Sequence, residues 1–494
     1  MSGSFSFNDD ERLRVTTPIT EDQRPRTVAE SVMEEKRVTP EERRAAGRDL
    51  RFAAPRSSHG EWTAAPDRPD PVSLLVEQTR DRVPDLVPIR FGRMLDSPLG
   101  FLRGSAIVMA SDLAGTPTSG LGVQACGDAH LLNFGMWATP ERHLFFGVND
   151  FDESHPGPFE WDVKRLATSI VVAARDRGFV DADQAFAARA AALTYREKML
   201  EYAEMGFLEV WYSRIEVDEV MRAMRMERDG LKKAERKGLK KAEKAVEKAR
   251  RHTNLDALSR YAEQVDGHWR IKVEPPLIMR DSDTERLTED LAECFAEYSG
   301  SLRVDGRELL SRYRFADFAR KVVGVGSVGT QTFMLLLMGH RDDDPLFLQL
   351  KEAHRSVLEP FTSKSRFDHH GERVVTGQRL IQAASDSLLG WLAGPPGMKD
   401  CYVRQLRDMK GSADIETMLP PDLIAYAELC GWNLARAHAR TGDATAMAGY
   451  LGRGNSFEHA IERFAVAYAD QNEKDYEALV SAAKCGRIEI EEGV

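Results

Sequence analysis

The spacing of apolar and polar positions changes along this chain, and the changes divide it into segments. Residues 1–65 show little hydrophobic period and are rich in Arg, Glu, Ser and Pro, which predicts a disordered or wrapping N-terminal arm. Apolar content rises at Pro71, with helical spacing around residues 74–83. Residues 103–110 read as a strand, and residues 123–126 and 143–148 are apolar runs of strand length. Over 160–175 the positions Leu166, Ile170, Ala173 and Ala174 share related faces of a helix. Asp183 is placed to cap an Ala-rich helix that continues to Phe207. These elements make up a segment 66–205.

Residues 206–310 are expected as a helical insertion. Its hallmark is GLKKAERKGLKKAEKAVEKARR, a Lys-rich helix with a thin apolar stripe at Leu231, Ala234, Leu239, Ala242 and Val246. A solvated helix whose stripe packs on a neighbour accounts for this pattern, and a docking face for an anionic partner is the alternative. Residues 272–283, with Pro275-Pro276, read as a loop. From Phe315 the period becomes β-like: ARKVVGVGSVGTQTFMLLLMG, a polar turn at 341–345, then LFLQLKEA. Residues 378–392 read as helix and 401–409 as a further strand, so 311–412 forms a β-rich unit. Helical patterns dominate from Asp422, and 413–494 completes the helical part of the fold.

Length and composition narrow the class. The 494 residues suffice for two or three domains, and 42% hydrophobic with 30% charged content describes a globular protein. A net charge of −11 argues against general nucleic-acid affinity. Five scattered cysteines without a CxxC read as reduced thiols of a cytoplasmic protein. No apolar run reaches membrane-spanning length, and no secretory signal is visible.

The densest chemistry lies between Cys126 and Ala167. Gly127-Asp128-Ala129-His130 precedes Asn133, and a strand-like run then leads to Asn149-Asp150-Phe151-Asp152. Phosphoryl transfer uses such a set: one carboxylate orients a hydroxyl, and an amide with a second carboxylate holds magnesium. Asp128 is the candidate base, and Asn133 and Asp150 are the candidate Mg2+ ligands. Asp152 is either a further ligand or a solvated loop acid. His130 is expected to support the loop. Asp162 is expected either to cap the helix that follows or to anchor the loop. Arg90, Arg93 and Arg103 are candidates for an anionic substrate or for salt bridges.

A second set lies later. Gly324, Gly326 and Gly329, with Ser327 among them, form a GxGxxG. The β-branched, apolar run that follows suits a hairpin that covers nucleotide phosphates better than the helix of a dinucleotide fold. The next strand ends in Lys351, a candidate for the phosphates, and Glu359 is the candidate carboxylate partner, with Glu352 and Glu372 as alternatives.

The early run resembles the catalytic and metal loops of the aminoglycoside phosphotransferase and choline kinase group, with Gly127, Asp128, His130, Asn133, Asp150, Phe151, Trp161 and Asp162 at matching positions. Cys126 departs from it, standing where that group usually has His. Residues 70–480 also resemble an uncharacterised bacterial family known as domain of unknown function 2252. Residues 425–440, ending in Leu434, Ala435, His438 and Ala439, resemble the helix that normally precedes a kinase catalytic loop. In kinases the Gly loop and lysine come first; here they follow Asp128. The resemblance therefore implies an α+β, protein-kinase-like two-lobe fold in circularly permuted order, with a mostly helical large lobe and a small antiparallel β lobe that binds nucleotide.

The implied activity is ATP- and Mg2+-dependent transfer of a phosphoryl group to a hydroxyl of a small molecule or protein. Nucleotidyl (AMP) transfer on the same scaffold and a nucleotide-binding pseudokinase are the alternatives. A two-metal phosphoesterase needs more ligands than are found, because the 12 histidines include no HxH.

Overall fold

The computed structural model describes residues 38–226, 233–280, 282–322, 324–394, 398–406, 409–491 and 493 of the chain. It is an α+β structure in which helices predominate and all strand pairings are antiparallel. Among the described residues no helix is long and apolar enough to cross a membrane.

The helical body is built around Phe159–Asp176, whose residues 159–174 are all buried. A helix buried all round, here with Glu160, Asp162, Lys164 and Arg165 among its buried residues, must be covered on every side. Here the covers are Asp181–Tyr202, Pro420–Ala439 and the long helix Ser456–Lys484. Small residues permit the closest crossings. A Cβ on Gly431 would sit 2.2 Å from the carbonyl oxygen of Ala191, so Pro420–Ala439 can lie directly on Asp181–Tyr202.

Two small β elements carry the early loops out of this body. Strand β1 (Gly122–Ala125) leads into the Gly127–Asp128 loop, and β2 (Phe134–Ala138) and β3 (Leu144–Val148) form a hairpin. Strand β4 (His155–Pro158) returns to pair with β1.

Strands β5 (Ala262–Val265) and β6 (His268–Ile271) form a separate hairpin. The main sheet follows: β7 (Ile278–Met279), β8 (Arg314–Lys321), β9 (Thr332–Met338), β10 (Pro345–Glu352), β11 (Gly390–Leu392) and β12 (Cys401–Gln405). Its six strands run in the order β11-β12-β10-β9-β8-β7. β9 is covered on both faces, by Phe333, Leu335 and Leu337 in one core and Met334 and Leu336 in another, which explains its unbroken apolar run. The two-residue β13 (Gly411–Ser412) pairs back onto β2, so it links the region after the main sheet to the early hairpin.

The N-terminal arm splits. Residues 1–37 lie outside the described residues. Pro40–Ala53 is a helix started by a capping box between Thr39 and Glu42. It packs against Ala444–Leu451 through two glycines, with a Cβ on Gly47 only 1.9 Å from the Ala446 carbonyl oxygen.

Several sequence expectations are corrected. Residues 103–110 are helical, in Pro98–Gly104 and Ala106–Leu113; Ser97 caps the first helix, and the apolar run that read as a strand is a helix buried almost all round. Asp183 lies inside the first turn of Asp181–Tyr202, whose N-cap is Val180 and which ends before Phe207. The helix expected over 378–392 is His370–Ile381, and the apolar run after it supplies β11. The loop expected over 272–283 contains β7. In the Lys-rich helix, Lys233–Arg251, Leu239 and Val246 are buried and Ala242 packs on the core, while Leu231 and the Ala234 side chain lie outside the described residues.

Candidate functional site

The loop after β1 turns at Gly127, whose φ of +80° lies in the left-handed region. A Cβ there would stand 2.3 Å from the Glu153 carbonyl oxygen. Asp162 holds the turn from below: Oδ2 accepts from the Cys126 amide at 2.6 Å and Oδ1 from the Gly127 amide at 3.0 Å. His438 Nε2 lies 3.1 Å from the same carboxylate, and Tyr195 is 2.8 Å from the other ring nitrogen. Of the two roles expected for Asp162, it anchors the loop; the helix begins at Phe159, ahead of it.

Asp128 then faces a cleft with its carboxylate held by Arg165, Nε donating at 2.6 Å. His130 lies behind, 3.8 Å from Asp128, and burial pushes its imidazole down to about 4, so it stays neutral. Asn133 ties the two early loops together. Its Nδ2 donates to the carbonyls of Asp128 and Asp150 at 3.1 Å, and its Oδ1 accepts from the Asp150 amide at 2.8 Å.

The β8–β9 hairpin carries Gly324, Gly326, Ser327 and Gly329 in its connecting loop, with positive φ at Gly324 and Gly329. Arg93 donates to the Gly324 carbonyl and Arg82 to the Val328 carbonyl, so the loop rests on the helices that precede Asp128. Lys351, near the end of β10, is buried. Its ammonium is 3.5 Å from Asp150 Oδ2 and pairs closely with Asp152. Burial acts against the Lys351 ammonium, but the two carboxylates hold its proton more tightly than usual. Burial likewise opposes ionisation of Asp150, and Lys351 overcomes it, keeping that carboxyl well below the usual range.

Asp152 also accepts from Tyr402 Oη at 2.7 Å and lies 3.4 Å from Ser327 Oγ. Thus a residue of the Asn149–Asp152 loop touches the lysine, the late strand β12 and the Gly loop at once. Asp128, Asn133, Asp150, Asp152, Gly324, Gly326 and Ser327 line one cleft of about 510 Å³.

Glu359 does not reach Lys351. It sits in the short turn Glu359–Phe361 and pairs with Arg355 at 3.4 Å, because the chain leaves β10 away from the lysine head. Glu352 accepts from the amides of Gln331 and Lys399, bracing the base of the Gly hairpin. The lysine's carboxylate partners, Asp150 and Asp152, come from the loop after β3 instead.

Sequence reasoning missed several residues of this site. Arg373 is 1% exposed and donates to the carbonyls of Asp152, Ser154 and His354, clamping the loop after β3 against the segment after β10. Arg404 reaches the Asn149 carbonyl from β12. Burial, then the charge of Arg404, pushes Lys410 in the cleft wall down to about 7. Burial raises Glu153, also in the wall, to about 7. Arg165 had a signal, since it lies three positions after Asp162 on the same helical face. Glu153 directly follows Asp152, whereas Arg373, Arg404 and Lys410 are brought in from segments remote in sequence.

Among the described residues no cluster of three or more His, Cys, Asp or Glu is arranged to hold a metal. Two carboxylates and an amide remain, and Asp150 Oδ1 is buried without a hydrogen-bond partner. That donor set fits magnesium, which takes one or two carboxylates and leaves its other positions to phosphate and water.

A family model described as an uncharacterized protein conserved in bacteria (DUF2252) matches residues 82–482. No curated protein and no solved structure matches the chain.

Proposed function

We propose that this chain, which belongs to the bacterial family DUF2252, is an ATP- and Mg2+-dependent phosphotransferase with a circularly permuted, protein-kinase-like arrangement. The observation that carries the reading is the contact of Lys351 with Asp150 and Asp152. The lysine comes from the strand after a glycine-rich hairpin and the acids from a loop read independently as metal-binding. Nucleotide phosphates need both kinds of group around one position.

In this reading Lys351 and the amides of the Gly324–Gly329 loop hold the phosphates. Asp150 and Asp152 would hold magnesium, with Asn133 bracing their loop and offering its amide oxygen. The metal's contribution when bound is to neutralise phosphate charge. Asp128 orients the acceptor hydroxyl and takes its proton, and Arg165 fixes the direction of that carboxylate. Catalysis is then positioning and electrostatics, supplied by groups already in place before substrate arrives.

The permuted order is supported by the end of Pro420–Ala439. Just past it, Thr441 Oγ1 accepts from the Gln124 amide of β1 at 3.1 Å. A helix that would precede the catalytic loop in an ordinary kinase therefore abuts the strand that leads into it here.

Calorimetric titration of ATP, with and without Mg2+, into wild type, Lys351→Ala and Asp150→Ala tests the reading. Magnesium-dependent binding weakened by both substitutions is expected. Binding indifferent to Asp150 and magnesium favours the pseudokinase alternative, and no binding by folded wild type ends the proposal. With the site established, phosphate or AMP on the labelled acceptor separates phosphoryl from nucleotidyl transfer.

A further inference from the structure

Three arginines line the cleft on the wall formed by residues 82–103, and none is assigned to phosphate, metal or acceptor in the reading above. None forms a salt bridge with a carboxylate among the described residues. Arg82 spends one donor on the Val328 carbonyl. Arg90 is wholly buried; Nη2 donates to Gln78 Oε1 and the Gly104 carbonyl at 2.8 Å, while Nε and Nη1 have no partner. Arg103 has a buried Nε without a partner. The acid whose field it feels, Asp128, is already engaged by Arg165.

Burial is the leading influence on all three guanidiniums and pushes each below its ordinary value. The acids whose fields reach them (Glu153 for Arg82 and Arg90, Asp152 and Glu352 for Arg82, Asp128 for Arg103) form no ion pair with them. A guanidinium taken from water without a direct partner is costly, and a fork of unused N–H donors matches the geometry of an oxyanion. Their place in the cleft indicates whose oxyanion it is. Lys351, Arg404 and Lys410 surround Asp150, on the metal side. Arg103 acts instead on Asp128 and His130, at the hydroxyl end, and its backbone carbonyl lies beneath the Gly326 position of the glycine loop.

We propose that Arg103, beside Asp128, forms an anion subsite together with Arg82 and Arg90 of the same cleft wall, so that the acceptor is a hydroxyl compound carrying its own phosphate or carboxylate. This rests on the phosphotransferase reading for the identity of the acceptor, though not for the existence of the subsite. It makes the cleft selective: a neutral polyol leaves buried guanidiniums unpaired, whereas an anionic one satisfies them.

The test is calorimetric titration of inorganic phosphate into the full chain, alone and saturated with Mg2+ and the β,γ-imido analogue of ATP. Phosphate is expected to bind in both states. Arg103→Gln is expected to weaken it at least about tenfold while leaving analogue affinity within about twofold. Arg82→Gln provides a second variant that leaves the fully buried Arg90 in place, and thermal unfolding confirms that both fold. Competition between phosphate and the analogue would assign the arginines to the nucleotide and overturn the proposal. So would phosphate binding unchanged in both variants, or none in wild type. If the analogue fails to bind but phosphate binds and Arg103→Gln abolishes it, the phosphotransferase reading falls while the subsite stands.

Discussion

His438 Nε2 lies 3.1 Å from Asp162 Oδ2 across 276 positions of chain, and Asp162 in turn holds the amides of Cys126 and Gly127. The late helix thus supports the early loop through one buried carboxylate, with both side chains at most 2% exposed. Asp162→Ala leaves two amides and an imidazole without their acceptor. It is expected to cost about 2–4 kcal/mol in chemical denaturation. Asp162→Asn, which keeps one acceptor oxygen, is expected to cost less and to lower transfer rate more than nucleotide affinity.

Asp128→Asn removes the proposed base and keeps the shape. Transfer to the acceptor is expected to fall by about 10²–10⁴-fold with Mg·ATP affinity nearly unchanged. Equal losses in rate and nucleotide affinity would show that Asp128 serves binding instead.

Lys351→Met leaves Asp150 and Asp152 facing each other without their cation. The lysine is 2% exposed, but its partners are 40% and 25% exposed at the side chain, which moderates the loss. A destabilisation of about 2–4 kcal/mol is expected, largely recovered by millimolar Mg2+ if the acids bind the metal. Thermal unfolding with and without Mg2+ reads both effects; a loss that the metal leaves unchanged counts against the acids as its ligands.

Gly127→Ala places a Cβ at a positive φ and against the Glu153 carbonyl oxygen. A cost of about 1–3 kcal/mol is expected. Because the strain falls next to Asp128, transfer is expected to drop even at temperatures where the variant is folded. Full activity in Gly127→Ala would show that the turn is not required.

Glu153 sets a pH dependence. Burial raises its carboxyl from 4.5 to about 7 in the folded chain. The folded state therefore keeps a proton that the unfolded state releases, and stability falls as pH rises through that window. The fall is expected to be about 1–3 kcal/mol in wild type and absent on this account in Glu153→Gln. Parallel pH profiles of the melting temperature for the two proteins would remove Glu153 as the source.

Much of the sheet was legible because periodicity reports burial directly. β9 is apolar throughout because both faces are covered, and the chain between β8 and β9 turns at glycines where the backbone needs positive φ. The same signal misled at 103–110, where a short helix buried almost all round shows no helical stripe. Lys351 could be placed by its position after the glycine hairpin, but its partner could not. Glu359 is near in sequence and pairs with Arg355, whereas Asp150 and Asp152 arrive through the docking of the sheet on the helical body. Arg373 and Arg404 were hidden because what they hold in the early loop is backbone, the carbonyls of Asp152, Ser154 and Asn149, which carries no sequence signal.

The distance in sequence between Asp162 and His438 is also a distance in time. A ribosome adds residues at roughly 5–20 per second, so the loop bearing Asp128 emerges on the order of tens of seconds before the histidine that steadies it. Through that interval the nascent chain holds Asp128, Asp150 and Asp152 without His438, and for the larger part of it without Lys351. The cleft is therefore complete only once the chain has grown past His438, so a nascent chain shorter than that lacks the support of the Gly127–Asp128 loop.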